Sequence, residues 1–142
     1  MNSYNGFTAN QRMKAFKWLM EKITRKEIPP KPEKCDVCGQ TKGHIEYHSE
    51  DYSAPFGEHI GQFGLCYTCH LMIHCRKNSK STWLDYIQSI ADGKRYEPFY
   101  YKAWVDFKQK CLIDKFANMK YEIVEGNNPD ILTNIEKGVY IK

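Results

Sequence analysis

Four cysteines in two pairs have the spacing of metal ligands. Two residues separate Cys35 from Cys38 and two separate Cys66 from Cys69, and 27 residues lie between the pairs. Two thiolates at this spacing can hold one ion from a single tight turn, and two such pairs complete the tetrahedral sulfur set that zinc prefers. The spacing therefore predicts a structural zinc site. Paired CxxC spacing also favours metal binding in a reducing compartment over disulfides.

The histidines of the chain are concentrated around the cysteine pairs. They are His44, His48, His59, His70 and His74. Because four thiolates already satisfy the zinc ion, ligands remain for a second metal. His70 and His74 are four residues apart and share one face of a predicted helix. His44 and His59 have no distinctive spacing, so we expect them to be surface or hydrogen-bonded residues.

Short local patterns predict the elements that position these ligands. The segment from His44 to Tyr52 favours a strand that places His44, Glu46 and His48 on one face. The apolar piece at 62–65 can return as a second strand. A helix carrying His70 and His74 then begins in the second cysteine pair. The pattern predicts a strand, a return strand and a helix around the histidines.

The N-terminal part of the chain predicts a basic amphipathic helix. Thr8 is a candidate N-cap for a helix over about 9–26, and apolar residues recur there mostly at spacings of three and four. The proline-rich segment 28–32 ends it and forms an extended connector. Residues 1–34 carry eight Lys or Arg against three Glu, whereas residues 35–79 have a net charge of −2. This distribution suits a protein whose basic arm attracts phosphates and whose acidic, histidine-rich centre holds cations beside them. The alternative is that the basic residues only form a solvated helix face.

The C-terminal part predicts two further amphipathic helices. Thr82 is expected to cap a helix over about 83–92 that stops at Gly93, and a longer helix over about 99–118 follows Pro98. The tail from Tyr121 is compatible either with two short strands or with a strand and a helical turn. Cys111 is expected to be a small buried residue.

Length and composition fit one α+β domain. The chain has 142 residues, of which 42% are hydrophobic. We divide it into a basic helix and connector at 1–34, a zinc-clasped core at 35–79 and a helical region at 80–142. The sequence lacks a run of eighteen apolar residues and the apolar run of a secretory signal, which predicts a cytoplasmic protein without a membrane segment.

The central third of the chain resembles a nuclease family. The run HSEDYSAP followed by LCYTCHLMIH resembles the HNH or ββα-metal endonucleases, in the subgroup whose strand reads His-His-x-Asp-Tyr-x-x-Pro and whose helix opens with Leu-Cys-x-x-Cys-His. The resemblance covers residues 35–76 and rests on the two CxxC pairs, Asp51, Tyr52, Pro55 and His70. It implies a ββα-metal unit that hydrolyses phosphodiester bonds.

The resemblance also implies roles for individual residues. One divalent ion, Mg²⁺ or another, polarises the scissile phosphate while a neutral histidine accepts a proton from the attacking water. Carried over by position, His70 and His74 are ligands of this catalytic ion. His48 is the residue that the strand supplies to the site, and Asp51 also belongs to the catalytic site.

The sequence departs from the family pattern at one adjacent pair. The family has a metal ligand followed by a general base, and here the pair is His48 and Ser49. Aligned without a gap, His48 is the ligand and Ser49 stands in the base position. A serine hydroxyl cannot act as a base at neutral pH without the help of another group. Shifted by one, Tyr47 takes the ligand position and His48 is the base, and Asp51 or Glu46 joins the helix histidines on the ion. The family asparagine before the second cysteine pair is missing, and Gln62 or His59 are its candidate substitutes.

Three functions follow as hypotheses. The first is a metal-dependent DNA endonuclease, a possible homodimer, with phosphate contacts from Lys14, Lys17, Arg25 and Lys26. The second is a non-catalytic zinc module that binds nucleic acid or protein, which Ser49 favours. The third is a zinc deaminase, because His48-Ser-Glu50 with Cys66 and Cys69 mimics its ligand pattern. The deaminase reading leaves Cys35 and Cys38 unexplained.

Overall fold

The computed structural model describes residues 1–140 and shows a mixed helix and small-sheet architecture. The helices are α1 (Ala9–Thr24), α2 (Tyr67–Cys75), α3 (Lys80–Ala91), α4 (Trp104–Phe107, continued by the π-helical segment Lys108–Ile113) and α5 (Pro129–Glu136), and the strands are β1 (Ile45–His48), β2 (Phe63–Cys66), β3 (Lys94–Tyr96) and β4 (Tyr121–Ile123). Strands β1 and β2 pair antiparallel, and so do β3 and β4. The fold class is α+β, as predicted.

Helix α1 begins at the predicted N-cap. The Thr8 hydroxyl accepts a hydrogen bond from the Gln11 backbone N–H at 3.1 Å, and the Gln11 side chain accepts one from the Thr8 N–H at 2.8 Å. This reciprocal capping box satisfies two donors that the helix leaves free. The expected apolar face is only partly buried, because Leu19 packs inside whereas Phe16 and Met20 remain exposed.

The β1–β2 hairpin runs directly into α2. Ile45 lies opposite Cys66 and His48 lies opposite Phe63 in the antiparallel register. Cys66 is at once the last residue of β2 and the N-cap of α2. No linker therefore separates β2 from α2, the helix that carries His70 and His74.

The C-terminal elements correct two of the predicted boundaries. Ser79, and not Thr82, occupies the N-cap position of α3, because the Ser79 carbonyl already accepts a hydrogen bond from the Trp83 N–H at 2.9 Å. The helix ends before Gly93, which has a φ of +90° as the prediction requires.

The long helix expected over 99–118 is shorter. Residues 100–103 precede α4 without helical structure, and the π-helical segment stops ahead of Lys115 and Phe116, which both have positive φ. The sheet of β3 and β4 was not predicted, because each strand has only three residues. The tail adopts the second predicted alternative, a strand followed by helix α5.

Two separate clusters of buried apolar residues form the interior. The larger one contains the four CxxC cysteines, the inner faces of β2, α2, α3 and α5, and residues from 96–119. The smaller one joins Ala15 and Leu19 of α1 to Ile60, with partly buried Tyr47 and Tyr52 against it. Strand β1 lies between the clusters, because Ile45 packs in the larger one and Tyr47 in the smaller one.

Candidate metal centres

The four predicted zinc ligands converge in the larger cluster. Cys35, Cys38, Cys66 and Cys69 are all buried, and their Sγ atoms lie within 4.8 Å of one another. The Cys38 and Cys66 Sγ atoms are 3.8 Å apart. A tetrahedral ion with Zn–S bonds of about 2.3 Å separates its ligands by about 3.8 Å. The cysteines thus form a buried group that can hold a metal such as zinc.

Backbone geometry brings each pair into a compact turn. The Gly39 N–H donates to the Cys35 carbonyl at 2.9 Å, and Gly39 has the positive φ of +74° that closes the first turn. In the second pair, the Cys66 Sγ accepts from the Cys69 N–H at 3.5 Å at the start of α2. A helix N-terminus stabilises negative charge, but the hydrogen bonds with Cys35 and Cys38 raise the pKa of the Cys66 thiol well above its ordinary value.

The sulfur cluster favours ionisation of one thiol. Burial opposes the charge on Cys35, but hydrogen bonds from Cys38, Cys66 and Cys69 outweigh burial and hold the pKa of the Cys35 thiol well below its ordinary value. Burial raises the pKa of Tyr86, which therefore stays protonated and donates its O–H to the Cys69 Sγ at 2.9 Å. Tyr86 is thus an outer partner that orients a ligand sulfur.

Gly64 in β2 connects the two cysteine pairs. Its N–H donates to the Asp36 Oδ2 at 2.8 Å, and its carbonyl accepts from the Asp36 N–H at 2.7 Å. A Cβ at this position would lie 2.6 Å from the Pro32 Cβ and 2.9 Å from the Lys34 carbonyl oxygen. Only a glycine lets the proline-rich connector pass this close to β2.

Gly64→Ala is therefore expected to push the first cysteine pair away from the second. We expect a destabilisation of about 1–3 kcal/mol, the usual cost of overpacking, and a reduced zinc content. Thermal unfolding and metal analysis measure both effects. Gly57→Ala is the matched control, because a Cβ there meets only the His59 Nδ1, at 3.9 Å. Equal stability and zinc content in the two variants would contradict the role of Gly64.

Three histidines converge in a second cluster. The nearest ligand atoms of His48, His70 and His74 lie within 4.8 Å of one another, and the Nε2 atoms of His70 and His74 are 3.2 Å apart. Two ligands of a tetrahedral ion with Zn–N bonds of about 2.0–2.1 Å are about 3.3 Å apart. The predicted strand and helix thus bring these residues together with spacing that fits one ion.

The orientation of His48 leaves one ring nitrogen free. Its Nε2 lies 2.5 Å from the Glu50 Oε2, while its Nδ1 is buried and has no hydrogen-bond partner in the part of the chain that the structure describes. Because Glu50 is ionised, Nε2 carries the proton and Nδ1 presents a lone pair. A buried acceptor without a partner is costly, and a metal ion at the cluster would satisfy it.

A buried charge network fixes Glu50. Arg76 Nη2 donates to the Glu50 Oε1 at 2.9 Å, and the Tyr4 O–H donates to the Glu50 Oε2. Arg76 also donates to the Tyr4 oxygen through Nη1. Burial opposes the charge on Glu50, but the hydrogen bonds from His48 and Tyr4 and the positive charge of Arg76 lower its pKa. The carboxylate remains charged and holds His48 in one orientation.

Burial keeps the cluster ready to bind a metal. Desolvation is the main cause that lowers the pKa of His48 to about 4 and that of His74 to about 2, and the positive charge of neighbouring histidines contributes to both values. Metal ions bind the neutral imidazole, so both side chains are in the binding form at neutral pH.

The three histidines line a cleft of about 220 Å³ together with Arg12, Glu46 and apolar residues of α1. The Glu46 Oε1 accepts from the His70 Nδ1 at 3.3 Å, and Lys102 Nζ lies 3.1 Å from the Glu46 Oε2. The hydrogen bond from His70 is the main cause that lowers the pKa of Glu46 to about 2. The Tyr4 ring covers His74 at 4.4 Å between centroids, and Arg12 lies over Tyr4.

Other residues singled out in the sequence have different partners. The Ser49 hydroxyl accepts a hydrogen bond from the Gly61 N–H at 2.6 Å, and the Asp51 Oδ1 accepts from the Ser53 N–H at 2.8 Å in the following turn. His59 donates to the Ser53 carbonyl, and Gln62 donates to the Tyr140 carbonyl. The structure does not bring these four side chains into the histidine cluster. A catalytic role for Asp51 stays a prediction.

The four predicted phosphate-binding residues lie on α1 or just after it. Lys14 and Lys17 are exposed on α1, and Arg25 and Lys26 are exposed just after it. Lys17 and Arg25 border a shallow groove with Met13, Phe16 and Met20. Contact with nucleic acid at these residues stays a prediction.

The sequence did not reveal the partners of the histidines. Tyr4 and Arg76 reach Glu50 from positions that have no regular spacing to it. One signal was available: Asn5 and Gly6, both with positive φ, form the two-residue turn that an Asn-Gly pair favours. That turn aims Tyr4 at the cluster, and Asn5 Nδ2 donates to the Glu50 carbonyl at 2.8 Å.

Comparison with known proteins found no matching family model, no matching curated protein and no matching solved structure. Within residues 1–140, every helix is either too short or too polar to cross a membrane. The geometry of the two clusters is therefore the basis for assigning a function.

Proposed function

We propose that the protein is a metal-dependent phosphodiester hydrolase of the HNH type. In this proposal β1, β2 and α2 form a ββα-metal unit, and zinc in the four-cysteine group fixes the hairpin to the helix. The observation that carries the proposal is the histidine cluster, where the buried imidazole of His48 meets the partly buried imidazoles of His70 and His74. One nitrogen of His48 is buried and has no partner among the described residues.

The chain supplies three ligands and fixes the orientation of two of them. His48, His70 and His74 would bind the ion, with Glu50 orienting His48 and Glu46 orienting His70. A divalent ion bound there would polarise a phosphoryl oxygen and lower the pKa of a water molecule in the site. Arg12 and Lys102 border the same region and add positive charge that attracts a phosphate.

The geometry favours the ungapped register, with His48 as a ligand. Its Nε2 is committed to Glu50, and a histidine with a pKa of about 4 is a weak base at neutral pH. We further propose DNA as the substrate and magnesium or another divalent ion as the catalytic metal. Lys14, Lys17, Arg25 and Lys26 are the candidate backbone contacts, and a homodimer would allow both strands to be cut.

The test is cleavage of supercoiled and linear DNA with added magnesium or manganese. His74→Ala is expected to lower the rate by at least about a hundredfold, because it removes one of three ligands, while one zinc per chain is retained. His59→Ala is the matched control, because its ring bonds the Ser53 carbonyl outside the cluster. Equal rates for the two variants, or no cleavage by a zinc-loaded wild type over many DNA sequences, would contradict the proposal.

A second candidate is a non-catalytic zinc module that binds nucleic acid or protein. The observation in its favour is Ser49, whose hydroxyl is already used by the Gly61 N–H and so offers no base beside His48. The deaminase pattern receives no such support. Cys66 and Cys69 lie with the other two cysteines, whereas His48 lies with the histidines, so the pattern is divided between two clusters.

A further inference from the structure

A short segment that leads into the first residue of α4 carries three exposed aromatic side chains. This aromatic segment is residues 100–104, with the sequence Tyr-Tyr-Lys-Ala-Trp. Tyr100, Tyr101 and Trp104 are 67%, 66% and 49% exposed, respectively. Large aromatic side chains gain most when they are covered, so a concentration of exposed rings indicates a binding surface.

The aromatic segment lies directly beside the histidine cluster. Lys102 Nζ is 3.1 Å from the Glu46 Oε2, and the other oxygen of the same carboxylate is 3.3 Å from the His70 Nδ1. A single side chain therefore separates Lys102 from a proposed metal ligand. Lys102 thus connects the aromatic segment to the histidine cluster through Glu46.

One ring of the segment is held in a fixed orientation. Trp104 stacks on Phe107 with 5.8 Å between ring centroids and 18° between ring planes. Phe107 is fully buried and meets Tyr67, the first residue of α2, edge to face. Because α2 carries His70 and His74, the Trp104 ring is connected to the ligand helix through packed side chains. A ring ordered before binding loses little entropy when it stacks.

The charge near the segment in the sequence suits an anionic partner. Residues 94–120 contain seven Lys or Arg and three Asp or Glu, a net charge of +4, and within the structure Glu46 pairs with Lys102 and Glu122 pairs with Arg95. Basic residues interleaved with exposed aromatic rings are the two components of surfaces that bind single-stranded nucleic acid.

We propose that the aromatic segment is a stacking platform for unpaired nucleic-acid bases, with the strand's backbone passing Lys102 to the histidine cluster. Base faces are covered within a duplex, and aromatic side chains stack on bases that are unpaired. The substrate is then a single strand or a locally unpaired region. This inference rests on the proposed function, because it names the substrate class of that site.

Binding of labelled DNA tests the platform separately from cleavage. Fluorescence anisotropy would compare one fluorescein-labelled oligonucleotide, as a single strand and annealed to its complement, on zinc-loaded His74→Ala protein. We expect tighter binding of the single strand. In the same background, Tyr101→Leu with Trp104→Leu is expected to weaken single-strand binding on the order of tenfold per ring and to leave duplex binding nearly unchanged.

The matched control replaces the same two residues by phenylalanine, which retains the flat ring. We expect the phenylalanine protein to bind the single strand almost as tightly as its parent. Equal affinities of the leucine and phenylalanine proteins would overturn the platform, and so would equal losses on single strand and duplex. A change of oligomeric state in the leucine protein with unchanged DNA affinity would also overturn it, since the rings would then contact a second copy. Tyr101→Leu alone avoids disturbing the Trp104–Phe107 stack.

The two proposals fail in distinguishable ways. Ring-dependent binding of single strands by a wild type that cuts no DNA would reject the hydrolase and keep the platform. Metal-dependent cutting with ring-independent binding would keep the hydrolase and reject the platform.

Discussion

Cys35→Ser is expected to abolish zinc binding and to unfold the centre of the protein. Cys35 is buried with the other three thiols, and all four cysteines belong to the larger apolar cluster. Structural zinc contributes about 10–16 kcal/mol to folding of small zinc-binding peptides, which is comparable to the whole stability of a domain. Metal analysis should show loss of the zinc ion, and circular dichroism should show loss of the cooperative thermal transition.

Cys75→Ala is the matched control for this experiment. Cys75 is also buried and free, but it lies outside the four-cysteine group. We expect the Cys75→Ala protein to keep one zinc ion per chain and a cooperative transition. A Cys35→Ser protein with the wild-type zinc content and melting temperature would reject the zinc assignment.

Arg76→Met is expected to destabilise the protein by about 3–5 kcal/mol, because it leaves a buried carboxylate without its cation. The Arg76 side chain is 6% exposed and the Glu50 side chain is fully buried. Methionine keeps much of the apolar volume, so the loss reports mainly the charge. Urea unfolding of the zinc-loaded protein gives the change in the free energy of unfolding.

The exposed pair of Lys22 and Glu27 provides the comparison. Its ammonium and carboxylate are 3.1 Å apart but stay in contact with solvent, so Lys22→Met is expected to cost less than about 1 kcal/mol. Adding Glu50→Gln to Arg76→Met should restore part of the lost stability, because the buried charge disappears with its partner. A loss below about 1 kcal/mol in Arg76→Met would show that Glu50 does not depend on this cation.

Contacts close in sequence were predictable. The CxxC spacing identified all four members of the sulfur cluster, and the four-residue spacing of His70 and His74 placed both on one face of α2. The N-cap of α1 followed from Thr8, and the structure adds Gln11 as its partner in a capping box. Each of these signals comes from geometry that repeats within one or two turns of chain.

Contacts distant in sequence were not predictable in the same way. Tyr4 meets Glu50 across 46 positions and Arg76 across 72, and no periodic pattern encodes either distance. The helix expected over 99–118 starts later because the Phe99 carbonyl accepts the His44 N–H at 2.8 Å, a tertiary bond that propensity does not contain. The same bond positions the aromatic segment beside the site.

The three histidine ligands and the side chains that cover them lie beside different clusters of the interior. All three histidines are on β1 and α2, next to the larger cluster, whereas Tyr4 and Arg12 approach from the N-terminal side, where the smaller cluster holds α1. Cooperative units with few buried contacts open at a lower free energy than the main core. The cover of the site therefore depends on the packing of α1 in the smaller cluster, whereas the positions of the three histidines depend on the larger one.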